Sequence, residues 1–403
     1  MELRLGKRMR RSWTKNDGDM KHIYIFCLNL TSSGMMYGIG TYMQQMIEFL
    51  KNRNDVALNI VELHSNEKEF CLKENEGYRM LCFPKMAFSP ESYYNQAYNR
   101  NVWYILQTFI APEPSDQLIF HLNFNTEYSL IDHMKQKFPE CQIYYAVHFL
   151  TFPLFYHDRP YEASHERDKM MLTMVDKVIC LSEATRELLI KDYSVPDEKI
   201  QLIYNGLKDE GKMITQQEKN LLRKKYYFDT GDLILLFVGR VEAVKGVQFV
   251  IEAFKKIIAV YPNARLIIAG NGALNQFISA ADGYWSRITF TGHLQKERLH
   301  DFYRMADVGV IPYFKEQCSY AVMEMMMHRL PLVTTDEVHG MLDNENADYA
   351  VPVQRNDKET FISVDELVVK IIKAAHDREY SARIRVNYEN RFTLPQMKKN
   401  ILT

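Results

Sequence analysis

The chain has 403 residues, enough for two or three domains, and 47% of them are hydrophobic, so sizeable cores are available. Its 50 lysines and arginines balance 51 aspartates and glutamates, and this net charge of -1 argues against a dedicated nucleic-acid-binding protein, whose domain carries a basic surface. The 6 cysteines are scattered without a C-x-x-C pair, which predicts no structural zinc and favours the reducing cytoplasm.

The head of the chain is basic and polar, and we expect a flexible basic extension over residues 1–20. It has no apolar segment of the kind a secretory signal needs, and no run in the chain reaches the ~20 apolar residues of a membrane-spanning helix. The D-x-D pair Asp17-Gly18-Asp19 could hold a divalent cation, but its place before the first strand indicates solvated polar sequence. A weak peripheral contact of this head with anionic lipid at the inner face of the membrane is the alternative.

Short β-branched, apolar segments recur through the first half with helical patterns between them, which is typical of βαβ units. A helix is predicted over Thr41–Lys51, and Asn205-Gly206 marks a turn before the polar stretch Lys208–Lys225. The predicted strands of this half are Ile23–Leu30, Val56–His64, Leu118–Asn123, Gln142–Val147 and Lys177–Leu181.

The second half repeats the alternation, with a helix that begins near Lys245 and two or three helices over Val364–Leu402. Its predicted strands are Leu233–Val238, Ala264–Ala269, Ile288–Thr291, Val308–Pro312 and Leu332–Thr334. We therefore predict an α/β protein with two Rossmann-like, doubly wound domains facing a central cleft. The N-terminal domain would span 21–206 and the C-terminal domain 207–385, and a helix over 386–403 would cross back to the N-terminal domain.

Gly239 and Arg240 follow a predicted strand, and Lys245 precedes the next helix. A glycine lets the backbone approach a ligand, and a helix N-terminus carries partial positive charge. Together with the two cations, this pattern is typical of a diphosphate site. The alternative is a pair of surface cations on an ordinary strand-to-helix loop.

Gly34, Gly38 and Gly40 lie between the first strand and its helix, and Glu62 ends the second strand. In a nicotinamide-dependent oxidoreductase such an acid would hold the ribose. The dinucleotide fingerprint, however, needs its glycines directly after the strand and a third at fixed spacing. A loop whose amides face the cleft explains the glycines equally well.

Four further side chains could take part in chemistry. His148 follows the strand Gln142–Val147 and either faces the cleft or is a packed, hydrogen-bonded histidine, and His121 is a weaker candidate. Glu316 and Glu324 are separated by seven residues, the first beyond a buried strand and the second on a following helix. Such a pair of carboxylates can bind two sets of hydroxyls on one ligand.

The order of these motifs resembles the retaining glycosyltransferases of the GT-B fold, in the large family 4, from residue 21 onward. The motifs are Gly38-Ile39-Gly40-Thr41-Tyr42, Val147-His148, Leu181-Ser182-Glu183-Ala184-Thr185, Ile203-Tyr204-Asn205-Gly206, Phe237-Val238-Gly239-Arg240, Lys245-Gly246, Ile268-Ala269-Gly270-Asn271-Gly272, Phe290-Thr291-Gly292 and the Glu316/Glu324 pair.

The resemblance implies catalytic roles for His148, Arg240, Lys245 and Glu316. Arg240 and Lys245 would bind the donor diphosphate, Glu316 the donor sugar, and Glu324 the ribose. The full implied donor site comprises Gly38, Gly40, Gly239, Arg240, Lys245, Gly270, Asn271, Gly272, Glu316, Cys318, Ser319, Tyr320 and Glu324.

The chain departs from the family pattern at two positions. The family usually has glycine where Ser319 stands, and serine is small enough to keep the backbone close to a ligand. Arg329 also replaces a common glycine, and a long cation there could alter the turn or reach an anionic acceptor.

The resemblance implies a metal-independent enzyme without a cofactor, which transfers a sugar, with retention, from a nucleotide-diphosphate donor such as a UDP-sugar. The acceptor would be a hydroxyl of a glycan, a lipid-linked molecule or a peptide, bound by the aromatic-rich loops Phe88–Asn101 and Phe149–Tyr161. One alternative is a catalytically inactive GT-B subunit that supports a partner transferase, and another is a nicotinamide-dependent oxidoreductase.

Overall fold

The structure is a computed structural model that describes residues 19–28, 38–85, 96–124, 128–148, 160–314, 316–356 and 359–401. The predictions for Asp17, Gly18 and Gly34, and for most of the two aromatic-rich loops, lie outside the described residues. Within these ranges, no helix combines the length and the apolar composition that crossing a membrane requires.

The chain divides into two compact units. The first comprises Met1–Cys180 and Leu189–Gln201, and the second comprises Leu181–Leu188 and Leu202–Thr403. The change of unit at Gln201 lies close to the boundary predicted after Gly206, and residues 386–403 belong to the second unit. The return of that last helix to the first domain stays a prediction.

The first unit is built on a mainly parallel sheet, which in the described residues has the order β3-β4-β2-β1-β5-β6-β7-β8. Its strands are β1 (Lys21–Leu28), β2 (Val56–Ser65), β3 (Cys71–Asn75), β4 (Tyr78–Pro84), β5 (Gln117–Leu122), β6 (Gln142–Ala146), β7 (Lys177–Cys180) and β8 (Ile200–Leu202). Its helices are α1 (Gly38–Leu50), α2 (Gln96–Leu106), α3 (Ser129–Lys137), α4 (Pro160–Met174) and the last residues of α5 (Glu183–Lys191), whose residues up to Leu188 belong to the second unit.

Burial explains the position of β1 in the middle of this sheet. Five consecutive residues of the strand, from Ile23 to Cys27, are at most 3% exposed, which is typical of a strand covered on both faces. β1 pairs in parallel with both β2 and β5. α1 follows it and buries Tyr42, Met43, Met46 and Leu50 on one face, so strand and helix share one core.

The second unit contains a parallel sheet of order β11-β10-β9-β12-β13-β14 and a separate antiparallel pair, β15 with β16, among the residues that are described. Its strands are β9 (Leu233–Val238), β10 (Ala264–Ala269), β11 (Ile288–Gly292), β12 (Val308–Ile311), β13 (Leu332–Thr335), β14 (Ala350–Val351), β15 (Val353–Arg355) and β16 (Thr360–Ile362). Its helices are α6 (Gln216–Lys225), α7 (Val247–Val260), α8 (Leu274–Ile278), α9 (Lys296–Met305), α10 (Tyr320–Met327), α11 (Val364–His376), α12 (Tyr380–Arg391) and α13 (Leu394–Asn400).

The ten predicted strands are all present, with their described ends displaced by at most two residues, and the C-terminal stretch forms three helices as expected. The predicted end of the first strand, at Leu30, lies outside the described residues. The prediction missed the hairpin of β3 and β4, and it treated the segment that forms α6 as polar sequence only. The start of α6 is fixed by a reciprocal capping box, in which Thr215 accepts from the Glu218 amide and the Glu218 side chain accepts from the Thr215 amide.

The two departures from the family pattern differ in backbone geometry. Ser319 has φ −73° and is the N-cap of α10, so it occupies a conformation open to any residue. Arg329 has φ 59°, in the left-handed region, one residue beyond the C-cap His328. Glycine is the usual residue there because a Cβ strains this backbone. The arginine therefore keeps the turn that a glycine forms there, at a cost in backbone strain.

We expect Arg329→Gly to stabilise the protein by roughly 0.5–1 kcal/mol. Relief of left-handed strain contributes about 1–2 kcal/mol, and the greater freedom of glycine in the unfolded chain offsets part of it. Urea denaturation measures the change. Arg298→Gly, on the exposed side of α9, is the control and should destabilise by about 1 kcal/mol. Equal losses in both variants would contradict the assignment of strain to Arg329.

Candidate functional site

The loops after β9 and β10 approach each other so closely that only glycine fits between them. A Cβ built on Gly270 would lie 1.8 Å from the carbonyl oxygen of Gly239. One built on Gly239 would lie 2.1 Å from the hydroxyl of Tyr313. Tyr313 is 2% exposed, and its hydroxyl donates to the Val238 carbonyl oxygen. The carboxyl ends of two neighbouring parallel strands therefore form one tightly packed floor.

Asn271 and Gly272 tie these loops together. The Val241 amide donates to the Asn271 carbonyl oxygen at 2.9 Å, and a β-bridge joins Val241 to Gly272. The Asn271 side-chain oxygen accepts from the His293 amide at 2.8 Å. The side chain of Asn271 is thus engaged in holding the loop after β11, while Gly272 is exposed.

Lys245 lies in a short 3-10 turn, Ala243–Lys245, directly before α7. Gly246, at φ 68°, makes the sharp entry into that helix. The Lys245 ammonium is 2.7 Å from Glu316 Oε2 and 4.0 Å from the centre of the Tyr313 ring. Its side chain is only 12% exposed, so the cation is held in a fixed position at a helix N-terminus.

Arg240 is the more exposed of the two predicted diphosphate ligands, with a side chain 49% exposed. Its Nη1 is 3.0 Å from Glu242 Oε1. Solvent screens such an exposed pair, so it contributes little to stability. Each cation of the predicted diphosphate site therefore faces a carboxylate of its own: Glu242 for Arg240 and Glu316 for Lys245.

The segment Cys318-Ser319-Tyr320 forms the start of α10. Ser319 is its N-cap, and its hydroxyl accepts from the Val322 amide at 3.5 Å. The Cys318 carbonyl oxygen accepts from Asn205 Nδ2 at 3.2 Å. Burial raises the pKa of the Cys318 thiol to about 12, so this sulfur is not a nucleophile at neutral pH.

Glu324 lies in α10, as the sequence predicted, between core residues. Met325, Met326 and Met327 are at most 2% exposed, which confirms that they fill the core. Tyr303 donates to Glu324 Oε2 at 2.6 Å. Burial raises the pKa of Glu324, and the Tyr303 hydrogen bond acts in the opposite direction. Tyr303 was not predicted as part of the site, because its only sequence signal is a core position of an amphipathic helix.

In the first unit, the expectation of a glycine loop at Gly38 and Gly40 is wrong, because both residues lie in the first turn of α1. The helix includes Gly38, three residues before the predicted start at Thr41. The first-turn amides of a helix lack intrahelical partners and can still face an anionic ligand. Gly38 is exposed, and Gly40 is buried against the unit.

His148 is both hydrogen-bonded and packed. Its Nε2 is 3.1 Å from Asn123 Oδ1, and Asn123 Nδ2 donates to the Phe26 carbonyl oxygen at 3.1 Å. The second bond fixes the amide orientation, so Oδ1 faces the imidazole and Nε2 must carry a proton. Tyr42 packs edge-on at 4.7 Å between ring centres, and its hydroxyl is 3.2 Å from His121 Nε2. Asn123 and Tyr42 were not predicted as parts of the site.

The charge state of this histidine follows from its surroundings. Burial, reinforced by repulsion from His121, lowers the pKa of His148 from 6.5 to about 3. Burial alone lowers the pKa of His121 from 6.5 to about 4. Both imidazoles are therefore neutral at physiological pH, and Nδ1 of His148 is left as the acceptor.

Two observations bear on the oxidoreductase and metal alternatives. Glu62, the candidate ribose ligand of a dinucleotide enzyme, is 1% exposed. It lies in register between Cys27 and Cys82 in the sheet rather than at an open strand end. In the described part of the chain, no group of three or more His, Cys, Asp or Glu side chains could hold a metal ion.

Two family models match the chain. The one described as Glycosyltransferase Family 4 matches residues 37–210, and the one described as Glycosyl transferases group 1 matches residues 232–370. Among curated relatives, an uncharacterized glycosyltransferase of Methanocaldococcus jannaschii is 28% identical over 172 residues. That match covers 41% of this chain and 44% of the relative, so the chain spans about half the length of the curated relatives it matches.

Solved structures of similar fold cover nearly all of the chain. A sucrose-phosphate synthase from Thermosynechococcus elongatus superposes with a TM-score of 0.73 at 16% identity, over 94% of this chain and 96% of that one. The Anabaena protein HepE, solved with UDP and glucose, superposes with a TM-score of 0.65 at 13% identity, over 95% and 98%. At these identities the likeness shows the fold, two parallel-sheet domains of the GT-B type.

The neutral state of His148 predicts a pH-dependent stability. Because its pKa is lower in the folded state than in the unfolded one, stability is complete above about pH 6.5 and is lost as the pH falls toward 3. Lowering the pH from 7.5 to 5.5 should reduce the free energy of unfolding by roughly 1 kcal/mol through this histidine. His148→Gln, whose amide can still donate to Asn123, does not titrate in this range. Its free energy of unfolding should therefore fall by about 1 kcal/mol less than that of wild type on acidification. Urea denaturation at both pH values tests this, and an equal loss in the two proteins would contradict it.

Proposed function

Since the chain belongs to the group 1 glycosyltransferases of family 4, we propose that it transfers a sugar from a nucleotide-diphosphate donor to an acceptor hydroxyl. The acceptor belongs to a glycan, a lipid-linked molecule or a peptide. The observation that carries the proposal is the contact of Lys245 with Glu316, 2.7 Å apart at the carboxyl edge of the second sheet.

The geometry of that contact matches the chemistry of a nucleotide-sugar. In such a donor the anomeric carbon is bonded directly to a phosphate oxygen, so a phosphate ligand and a sugar ligand must be neighbours. Lys245 supplies the positive charge for the phosphate, and Glu316 accepts hydrogen bonds from the sugar hydroxyls beside it. The ion pair keeps both groups in place before the donor binds, which reduces the ordering cost of binding.

Arg240 adds a second cation to the diphosphate site. Its exposed guanidinium presents a planar fork of donors that fits two phosphate oxygens. Because Arg240 is solvated and Lys245 is buried, we infer that Arg240 contributes to capturing the donor and Lys245 to stabilising the charge on the departing diphosphate. Glu324, on α10, would accept hydrogen bonds from the ribose.

We favour a UDP-sugar as the donor. HepE, a structural relative, was solved with UDP and glucose. The two residues assigned to the diphosphate, Arg240 and Lys245, also match the family 4 pattern. This choice of base is independent of the assignment of Lys245, Arg240 and Glu316, which any nucleoside diphosphate would satisfy.

The transfer is proposed to retain the anomeric configuration by a front-face substitution through an oxocarbenium-like state. Glu316 is ion-paired with Lys245, so its carboxylate is a poor nucleophile and serves as a hydroxyl ligand. The bond between the anomeric carbon and the phosphate oxygen breaks as the acceptor oxygen bonds to the same face. A phosphate oxygen takes the acceptor's proton.

Lys245→Ala should lower turnover about 10²–10³-fold, the usual effect of removing a group that stabilises transition-state charge. Transfer from radiolabelled UDP-sugar to acceptor, or release of UDP, measures it. Lys256→Ala is the matched control, because it removes a lysine of α7 that forms an exposed ion pair with Asp365 of α11. Equal turnover in wild type and Lys245→Ala, with both folded, would contradict the assignment of Lys245 to the donor diphosphate.

Turnover should be unchanged by EDTA, because Arg240 and Lys245 supply the charge that a divalent cation supplies in metal-dependent transferases. The assay is repeated after dialysis against EDTA and again with Mg²⁺ or Mn²⁺ restored. Loss of activity that only the metal restores would show that the metal-independent mechanism is wrong.

A further inference from the structure

The Glu324 carboxylate has a partner that the proposed donor site does not use. Tyr303, on α9, donates to Glu324 Oε2 at 2.6 Å and is 1% exposed. A hydrogen bond to an ionised acceptor is among the stronger kinds in proteins. Since the tyrosine is buried beside the carboxylate, water cannot take its place without a rearrangement of α9.

The ring of Tyr303 is fixed by stacking. It lies 5.6 Å from the His328 ring at an interplanar angle of 19°, and His328 packs edge-on against His300 at 4.7 Å. His300 and His328 are 6% and 8% exposed. These contacts join α9 to the end of α10. They fix the plane of the Tyr303 ring and thereby direct its hydroxyl toward Glu324.

The charges of the two groups suit this arrangement. Burial raises the pKa of Tyr303 well above its ordinary value, and the nearby Glu324 charge adds to that effect. The phenol is therefore protonated and can act only as the donor to the carboxylate. Its hydrogen bond favours the ionised form of Glu324, against the burial that favours the neutral one.

We propose that Tyr303 is a positioning residue for the nucleotide ribose, an inference that rests on the function proposed above. By taking one lone pair of Oε2, it fixes the rotation of the Glu324 carboxylate and leaves the other lone pairs for the ribose hydroxyls. The consequence is specificity: the site favours a ribonucleotide over its deoxy form, and that preference depends on the Tyr303 hydroxyl.

The test compares nucleotides within each variant. Calorimetry measures the binding of UDP, 2′-deoxy-UDP and 3′-deoxy-UDP to wild type and to Tyr303→Phe, which keeps the ring that stacks on His328. Tyr226→Phe is the matched control, since it also removes a hydroxyl that donates to a carboxylate, at 2.9 Å on Asp301, away from Glu324. Circular dichroism and thermal unfolding establish that each variant is folded.

We expect wild type to bind UDP more tightly than at least one deoxy form. Tyr303→Phe should weaken UDP binding about tenfold, the effect of one hydrogen bond to a charged group. For the deoxy form that wild type binds more weakly than UDP, the Kd of Tyr303→Phe should stay within about twofold of the wild-type value. Tyr226→Phe should bind all three as wild type does.

The other outcomes separate the two proposals. If Tyr303→Phe weakens UDP and the deoxy forms equally, or weakens none of them, Tyr303 has no role in reading the ribose and this inference fails. If wild type binds UDP and both deoxy forms equally, the assignment of Glu324 to the ribose fails first. If wild type binds none of the three nucleotides, the proposed UDP-sugar donor itself is overturned.

Discussion

The ion pair between Lys245 and Glu316, 2.7 Å apart and mostly shielded from solvent, is the interaction on which the site of the second unit depends. It exists because β9 and β12 are neighbours in a parallel sheet, so the loops that follow them emerge at the same edge. Tyr313 follows β12 and contacts the residues after β9: its ring lies 4.0 Å from the Lys245 ammonium, and its hydroxyl donates to the Val238 carbonyl oxygen. Two opposite charges are thereby held within hydrogen-bond distance of each other, as neighbouring phosphate and sugar ligands must be.

A second level of support holds the residues that would contact a ligand. Glu324 is held by Tyr303, and His148 by Asn123, in each case through one hydrogen bond to a buried partner. The surroundings also act on the charge of these groups: the Tyr303 hydrogen bond favours the ionised form of Glu324 against burial, and burial keeps the His148 imidazole neutral. Such supporting residues decide geometry and charge without touching a substrate.

The long apolar strands and the order of the charged motifs were readable from the sequence, because both are local patterns. The sheet hairpin Cys71–Pro84 was missed because its strands are partly exposed and lack a simple alternation. α6 was missed because its signal is a capping box and not an apolar face. Gly38 and Gly40 were assigned to a loop because glycine weakens a helix, yet both lie in the first turn of α1. Tyr303 and Asn123 act through contacts between residues distant in sequence, which no local pattern reveals.

Ligand binding to the wild-type chain tests the central claim, a nucleotide-sugar donor site, most directly. The melting temperature is measured with UDP-glucose, other UDP- and GDP-sugars, and NAD, each at millimolar concentration. The account predicts that at least one nucleotide-sugar raises the melting temperature by several degrees, as linkage requires of a ligand that binds only the folded state, and that NAD does not. A rise with NAD alone would contradict it.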